Sequence, residues 1–302
     1  MIKLLRNLVI IGLVLALLIT AVAAAVMAAN GWDLKDLRRE TRIALGLPKF
    51  WTTNFNEDAL AATPVECPDG DALVIVTGGQ SNAANSYGPI QPFEPDPRTA
   101  MAFNGRCYAL TTPVLGATGR GESLWPRLGA ELVATYDRPV IFINGAVGGS
   151  QVSDWLDRRS SYLNRLAAQI KEARALGFEP DLVFWIRGET DAAVQVDPKD
   201  FARDLANVKQ AIEVDAAMPE GVAQWVFFRS TRCLDRPNNG PELEAAMAAL
   251  AAPKDDAIHL GPSLTTFSDE LRRDKCHLNA AGRDQLVEDT LQFLSETGLA
   301  TP

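Results

Sequence analysis

Apolar runs, each of the length of one strand, alternate along the chain with segments of helical periodicity, and this alternation constrains the fold most strongly. The predicted strands are residues 72–76, 139–144, 181–186, 223–228 and 257–260. The predicted helices are residues 160–176, 201–212, 241–250 and a last one that follows Asn279. Runs that are apolar throughout are typical of parallel strands buried on both faces. We therefore predict an α/β domain with a mostly parallel sheet and helices on both faces.

The N-terminal segment, residues 1–30, is predicted to direct export. Lys3 and Arg6 precede an apolar run from Leu8 to Ala29, which has the roughly 20 apolar residues that a membrane-spanning helix needs. Alanines near the end of the run also allow cleavage of a signal peptide. We favour an uncleaved single-pass anchor in the membrane. In either case the positive residues stay inside, and the rest of the chain is exported to the periplasm or the extracellular space.

Two further segments complete the predicted organisation. Residues 31–66 are polar and mixed, and form a membrane-proximal extension with one short helix predicted at 33–47. Residues 67–302 form the folded domain. The net charge of −9 argues against nucleic acid as a partner, and the sequence carries no signal for an oligomeric state.

Four cysteines, Cys67, Cys107, Cys233 and Cys276, fit an oxidising compartment. They lie far apart, without the close spacing of a zinc site, so we expect no bound metal. Four cysteines allow three disulfide connectivities, and four free thiols are the remaining alternative. We favour Cys67–Cys107 and Cys233–Cys276, because each bond then joins segments of the same half of the chain.

Two loops carry the residues of a nucleophilic mechanism. Asp274 lies three residues before His277, a spacing that lets a carboxylate orient an imidazole. A histidine held in this way can take a proton from a serine hydroxyl. Ser81 follows the first strand and two glycines, and we expect its amide at a helix N-terminus, where it can donate to an oxyanion. The alternative is that Ser81 is only a helix N-cap.

Four motifs occur in an order that resembles a known family. They are Gly79-Gln80-Ser81-Asn82, Gly148-Gly149-Ser150 with a following Trp155, Trp185-Ile186-Arg187-Gly188-Glu189-Thr190-Asp191, and Asp274-x-x-His277-Leu278. Together they resemble the sialate O-acetylesterase-like branch of the SGNH hydrolases, which includes carbohydrate acetylesterases, over residues 72–294. The resemblance implies a flavodoxin-like three-layer α/β/α fold. It also implies removal of ester-linked acetyl groups without a metal or another cofactor.

The resemblance implies a role for each matched residue. Ser81 would be the nucleophile, His277 the general base and acid, and Asp274 the residue that orients His277. The amides of Ser81 and Gly149 and the side chain of Arg187 would line the oxyanion hole. The supporting loop residues would be Gln80, Asn82, Gly148 and Glu189.

One position departs from the family pattern, because Arg187 stands where a glutamine amide usually lines the oxyanion hole. An arginine can still donate hydrogen bonds there. A buried unpaired guanidinium is costly, so the alternative is a pair with Glu189 or Asp191 that points it away. These two carboxylates lie too close in one loop to suggest a glycosidase pair. Trp155 fits either stacking on a sugar or core packing, and His259 is predicted to be structural.

The sequence thus predicts an exported, membrane-anchored serine esterase that removes O-acetyl groups from a carbohydrate through an acyl-serine intermediate. Two alternatives stay open. One is a glycan O-acetyltransferase, which would pass acetate from the same acyl-serine to a sugar hydroxyl instead of water. The other is a non-catalytic, membrane-tethered glycan-binding module. The motifs do not specify which sugar is bound.

Overall fold

The computed structural model describes residues 18–28, 55–58, 61–157, 159–219, 221–233, 238–251 and 257–301. The chain divides into two compact units, Met1–Thr52 and Thr53–Pro302. The described part of the first unit is a helix over residues 18–28. Among the described residues, no helix is both long enough and apolar enough to cross a membrane.

The predicted membrane anchor therefore finds no support in the described residues. Half of the apolar run at 8–29 lies outside them, as does the whole of the helix predicted at 33–47. The second unit includes a strand just before residue 67, where the folded domain was predicted to begin. The three predicted segment boundaries stay predictions.

One eight-stranded sheet forms the centre of the second unit. Its strands are β1 (Pro64–Val65), β2 (Leu73–Gly79), β3 (Thr99–Phe103), β4 (Arg106–Ala109), β5 (Val140–Asn144), β6 (Leu182–Gly188), β7 (Gln224–Ser230) and β8 (Ile258–Ser263). Their order across the sheet is β1-β4-β3-β5-β2-β6-β7-β8. The pairs β1/β4 and β3/β4 are antiparallel, and the other neighbours are parallel. The segment β5-β2-β6-β7-β8 has the 2-1-3-4-5 order of flavodoxin-like sheets.

The α-helices described in this unit cover both faces of the sheet. They are α1 (Trp125–Tyr136), α2 (Val152–Leu156), α3 (Tyr162–Ala175), α4 (Glu189–Ala193), α5 (Pro198–Asp215), α6 (Gly240–Leu250) and α7 (Ala280–Thr297). Neighbouring residues of β6 point to opposite faces. Phe184 packs against Trp125 of α1, with ring centroids 6.3 Å apart, whereas Trp185 packs against Trp155 of α2 at 4.7 Å. The α/β prediction, with helices on both faces, is confirmed.

All five predicted strands are present, and four of them extend beyond their predicted ends. The extension matters for β6, because Arg187 and Gly188 lie within this strand and not in a loop after it. The strands β3 and β4 and the helix α1 were not predicted. Asn279 caps α7 as expected, accepting a hydrogen bond from the Gly282 amide at 3.0 Å.

Both predicted disulfides are present. Cys67 is bonded to Cys107 over a sequence separation of 40 residues, and Cys233 to Cys276 over 43. The first joins the segment after β1 to β4, and the second joins the segment after β7 to the loop that carries His277. Two disulfides indicate that the chain folds in an oxidising compartment.

Candidate active site

Ser81 lies just beyond the carboxyl end of β2, in a tight turn. It is the first residue of a helix, as expected, but this helix is a three-residue 3-10 turn, Ser81–Ala83. The turn needs glycine at position 79, because Gly79 has φ +109° and a Cβ there would stand 2.0 Å from the Ile186 carbonyl oxygen. Ser81 as a whole residue is 7 % exposed.

Asn82 connects the serine turn to the loop that carries His277. Its Nδ2 donates to Glu189 Oε1 at 2.6 Å and to the Cys276 carbonyl at 3.4 Å. Its Oδ1 accepts the Leu278 amide at 3.2 Å. Since Cys276 and Leu278 flank His277, one fully buried side chain fixes the histidine backbone beside the residue that follows Ser81.

Asp274 and His277 form the predicted carboxylate–imidazole pair. His277 Nδ1 lies 2.8 Å from Asp274 Oδ2 and 3.1 Å from Oδ1, and the His277 amide donates to Oδ1 at 2.7 Å. Partial burial would raise the pKa of Asp274, but these bonds and the charges of His277 and Arg273 outweigh it and lower that pKa. Because Nδ1 is held by the carboxylate, Nε2 is the nitrogen left for proton transfer.

Residues 272–278, the histidine loop, are held at several points. Arg272 pairs with Leu278 in an antiparallel bridge, and the Arg273 amide donates to the His277 carbonyl at 2.9 Å. Arg272 Nη1 also donates to the Cys276 carbonyl at 2.6 Å. Together with the Cys233–Cys276 disulfide, these contacts limit the positions that the imidazole can adopt.

Residues 147–150, the glycine turn, lie against the serine turn. A Cβ placed on Gly148 would stand 3.7 Å from Ser81 Cβ and 3.3 Å from Thr118 Oγ1. The Gly148 amide donates to Thr118 Oγ1 at 2.7 Å, and so it is already engaged. The Gly149 amide has no hydrogen-bond partner among the described residues, and Gly149 is exposed with φ +69°. Thr118 was not predicted, since it lies in a loop that follows no predicted strand.

Glu189 and Gln80 are buried side chains that contact the serine turn and the end of β6. Glu189 Oε1 accepts Ser230 Oγ at 2.6 Å as well as Asn82. Burial raises the pKa of Glu189, although these two hydrogen bonds and the charge of His277 oppose the rise. Gln80 Oε1 accepts the amide of Gly188, at the end of β6, and that of Thr190, at the start of α4, each at 3.4 Å. Both side chains thus make contacts to the serine turn or to the end of β6, and their supporting role stays a prediction.

Tyr87 is a second contact that the sequence did not reveal. Its hydroxyl donates to the Asn82 carbonyl at 2.6 Å. Burial, aided by the charge of Glu189, raises the pKa of Tyr87. The phenol therefore stays protonated and continues to donate this bond across the neutral range.

Arg187 is fully buried and pairs with Asp191, not with Glu189. Its Nη1 lies 3.1 Å from Asp191 Oδ2, and its terminal nitrogens also donate to Ser150. The structure thus contains the ion pair that was named as the alternative to an oxyanion donor.

The remaining candidates lie away from Ser81. Trp155 is 1 % exposed and packs on Trp185, which corresponds to the core-packing alternative. His259 lies on β8 and its Nε2 is 2.8 Å from Gln224 Oε1, in agreement with a structural role. Within the described ranges, no cluster of histidine, cysteine or carboxylate side chains could hold a metal ion.

Comparison with known proteins finds structures of similar fold but does not assign the chain to a family. No protein-family model matches the chain, and no curated protein matches it. A protein from Arabidopsis thaliana has a similar structure, with a TM-score of 0.61 and 16% identity, over 75% of this chain and 99% of that one. At this identity the likeness concerns the fold alone.

Two carbohydrate esterases are more distant. An acetylesterase from Xanthomonas citri aligns over 74% of this chain and 56% of its own, with 14% identity and a TM-score of 0.49. A family two carbohydrate esterase from Cellvibrio japonicus aligns over 77% and 63%, with 10% identity and a TM-score of 0.45. These scores are too low to support an activity, and the resemblance to SGNH hydrolases stays a prediction from the four motifs.

Proposed function

We propose that this protein is an exported serine esterase that removes O-acetyl groups from a carbohydrate. The observation that carries the proposal is the bonding of Asn82, which ties both neighbours of His277 to the residue after Ser81. A buried amide in this position gives the serine and the histidine a fixed relation across almost two hundred residues of sequence. The Asp274–His277 pair at 2.8 Å supplies the orientation that a general base needs.

The reaction has two halves. Ser81 Oγ attacks the ester carbonyl carbon while His277 Nε2 takes the hydroxyl proton, and the carbonyl oxygen becomes an oxyanion. The amides of Ser81 and Gly149 are the proposed donors to that oxyanion. The C–O bond to the sugar then breaks, and the sugar hydroxyl leaves with the proton from His277. Water, deprotonated by His277, then attacks the acetyl-serine; the C–O bond to Ser81 breaks, Ser81 Oγ takes the proton back from His277, and acetate leaves.

Other parts of the proposal have separate support. Export rests on the two disulfides. The choice of an acetylated carbohydrate rests on the motif resemblance, and not on the site geometry.

The direct test is hydrolysis of an aryl acetate by the full chain, with Ser81→Ala and Ser86→Ala as a matched pair from the same turn region. We expect turnover to vanish in Ser81→Ala and to persist in Ser86→Ala, with both variants folded. Normal turnover in Ser81→Ala would exclude the proposed nucleophile. No turnover in the folded wild-type chain would favour the glycan-binding module.

A second assay separates hydrolysis from transfer. O-acetylated polysaccharides are incubated with the wild-type chain, with and without an unacetylated glycan acceptor, and free acetate is measured. An esterase releases the same acetate in both mixtures. An acetyltransferase releases less when the acceptor is present, because the acceptor takes the acetyl group from the serine.

A further inference from the structure

Arg187 occupies a buried position behind the glycine turn, and its contacts define what it can do. Nη1 donates to the Ser150 carbonyl at 3.1 Å and Nη2 donates to Ser150 Oγ at 3.0 Å. Nη1 also pairs with Asp191 Oδ2 at 3.1 Å. Both terminal nitrogens are thus engaged with the end of the glycine turn and with one carboxylate. The side chains of Arg187 and Asp191 are both 0 % exposed.

Asp191 ties the same region from its second oxygen. Its Oδ1 accepts the Val152 amide at 2.9 Å, at the first residue of α2. The carboxylate therefore balances the charge of Arg187 and holds the start of the helix that follows the glycine turn. The cost of burying an ion pair is offset by further hydrogen bonds, and both partners have such bonds, although Arg187 Nε is buried without a hydrogen-bond partner among the described residues.

Ser150 transmits these contacts to the glycines. Its Oγ donates to the Val147 carbonyl at 2.8 Å and accepts Trp155 Nε1 at 3.2 Å as well as Arg187. Val147 and Ser150 are the two ends of the glycine turn; Gly148 and Gly149 between them are exposed, and Gly148 lies beside Ser81. The rear of the turn is consequently fixed by a buried network, while its front faces the nucleophile.

We infer that Arg187 is a positioning residue: together with Asp191 it holds Ser150, and through Ser150 it fixes the glycine turn against Ser81. This inference rests on the proposed esterase function. It differs from direct donation to the oxyanion, because a guanidinium that turned toward Ser81 would leave both Ser150 and Asp191. Arg187 thus acts on the Gly149 amide through the backbone and does not touch the acetyl group.

A double-mutant cycle tests the difference. The variants are Ser150→Ala, Arg187→Met and the double variant, with kcat and KM measured on an aryl acetate and folding followed by thermal unfolding. A positioning role predicts that Ser150→Ala alone lowers kcat about tenfold or more, since small displacements of catalytic groups cost up to about 10²-fold. It also predicts that the double variant is no slower than Arg187→Met, because both changes break one network.

Lys209→Met is the matched control. Lys209 and Glu213 form another i,i+4 ion pair, with 2.9 Å between Nζ and Oε1 and side chains that are 11 % exposed, in α5. Its loss is expected to lower the thermal midpoint without changing kcat. Ser150→Ala keeps the Arg187–Asp191 pair, so it remains informative even if Arg187→Met does not fold.

Each outcome of the cycle has one meaning. Unchanged kcat in Ser150→Ala, or effects that multiply in the double variant, would overturn the positioning role and favour direct donation by Arg187. If the folded wild-type chain does not hydrolyse the ester at all, the proposed esterase function fails and the positioning role fails with it. If the wild type is active, the esterase function stands, and the kcat values of the variants then test the positioning role alone.

Discussion

The two disulfides provide a matched pair for the role of the histidine loop. They close segments of nearly equal length, with sequence separations of 40 and 43 residues. In the chain-entropy model, each therefore stabilises the fold by about 4 kcal/mol, with a difference of about 0.1 kcal/mol between them. We expect Cys67→Ala/Cys107→Ala and Cys233→Ala/Cys276→Ala to lose similar stability, corresponding to about 8–16 °C in the thermal midpoint.

The effect on turnover should separate the two variants. Only the second disulfide ends beside His277, and the Cys276 carbonyl is also an acceptor for Arg272 and Asn82. Freeing this point allows the imidazole to shift, and a misplacement of about 1 Å can cost about 10²-fold in rate. The variant that lacks the first disulfide should keep its kcat within about threefold. That bond lies at β4, which is separated from β2, the strand before Ser81, by β3 and β5.

The assay is kcat on an aryl acetate, at a temperature well below both thermal midpoints. Equal losses of kcat in the two double variants would refute the claim that the second disulfide positions the histidine. Unchanged kcat in both would refute it as well. A much larger stability loss in one variant would show that chain entropy alone does not account for these bonds.

Three further predictions concern single side chains. Asn82→Ala should lower kcat about 10²-fold by freeing the histidine loop. Asn85→Ala loses comparable buried bonds, but to residues 114–119, the loop of Thr118; it should lower the stability by a similar amount, about 2–4 kcal/mol, and kcat by about tenfold at most. Equal kcat in the two variants would contradict the role of Asn82. Thr118→Val leaves the Gly148 amide without its acceptor. Because one unmade buried hydrogen bond costs about 1–3 kcal/mol, this variant should reduce kcat about tenfold, and Thr118→Ser should restore kcat. A Thr118→Ser variant as slow as Thr118→Val would show that the hydroxyl is not the cause. The pKa of Asp274 is lowered in the fold, so its stabilising effect is present above the unfolded-state pKa and is lost as pH falls through the folded-state pKa. The thermal midpoint of wild type should exceed that of Asp274→Asn near neutral pH, and the two should converge as pH falls through the lowered pKa of Asp274; a difference that grows on acidification would contradict this sign.

The sequence predicts the parallel part of the sheet well because its strands are apolar throughout. β2 and β5 carry runs of β-branched residues, which signal burial on both faces. β3 reads Thr-Ala-Met-Ala-Phe and β4 reads Arg-Cys-Tyr-Ala, so their alanines and short length hide them. β3 and β4 pair with each other across a short turn, but their outer neighbours, β5 and β1, are distant in sequence.

In the candidate site, too, contacts between residues close in sequence could be predicted, and contacts between distant residues could not. Asp274 and His277 are separated by three residues, and their hydrogen bond is a local consequence of that spacing. The contacts of Thr118 with Gly148 and of Asn82 with Leu278 span 30 and 196 residues, so no local pattern encodes them. The 3-10 turn at Ser81 is likewise held by the distant residues that bond Asn82.

The central claim is that Ser81 is a nucleophile activated by His277. The most direct measurement is reaction of the full chain with a fluorophosphonate, followed by digestion and mass spectrometry to locate the adduct. We predict one adduct, on Ser81. In His277→Ala the rate of adduct formation should be lower by a factor of about 10² or more. An adduct on another residue, or equal labelling rates in wild type and His277→Ala, would contradict the claim.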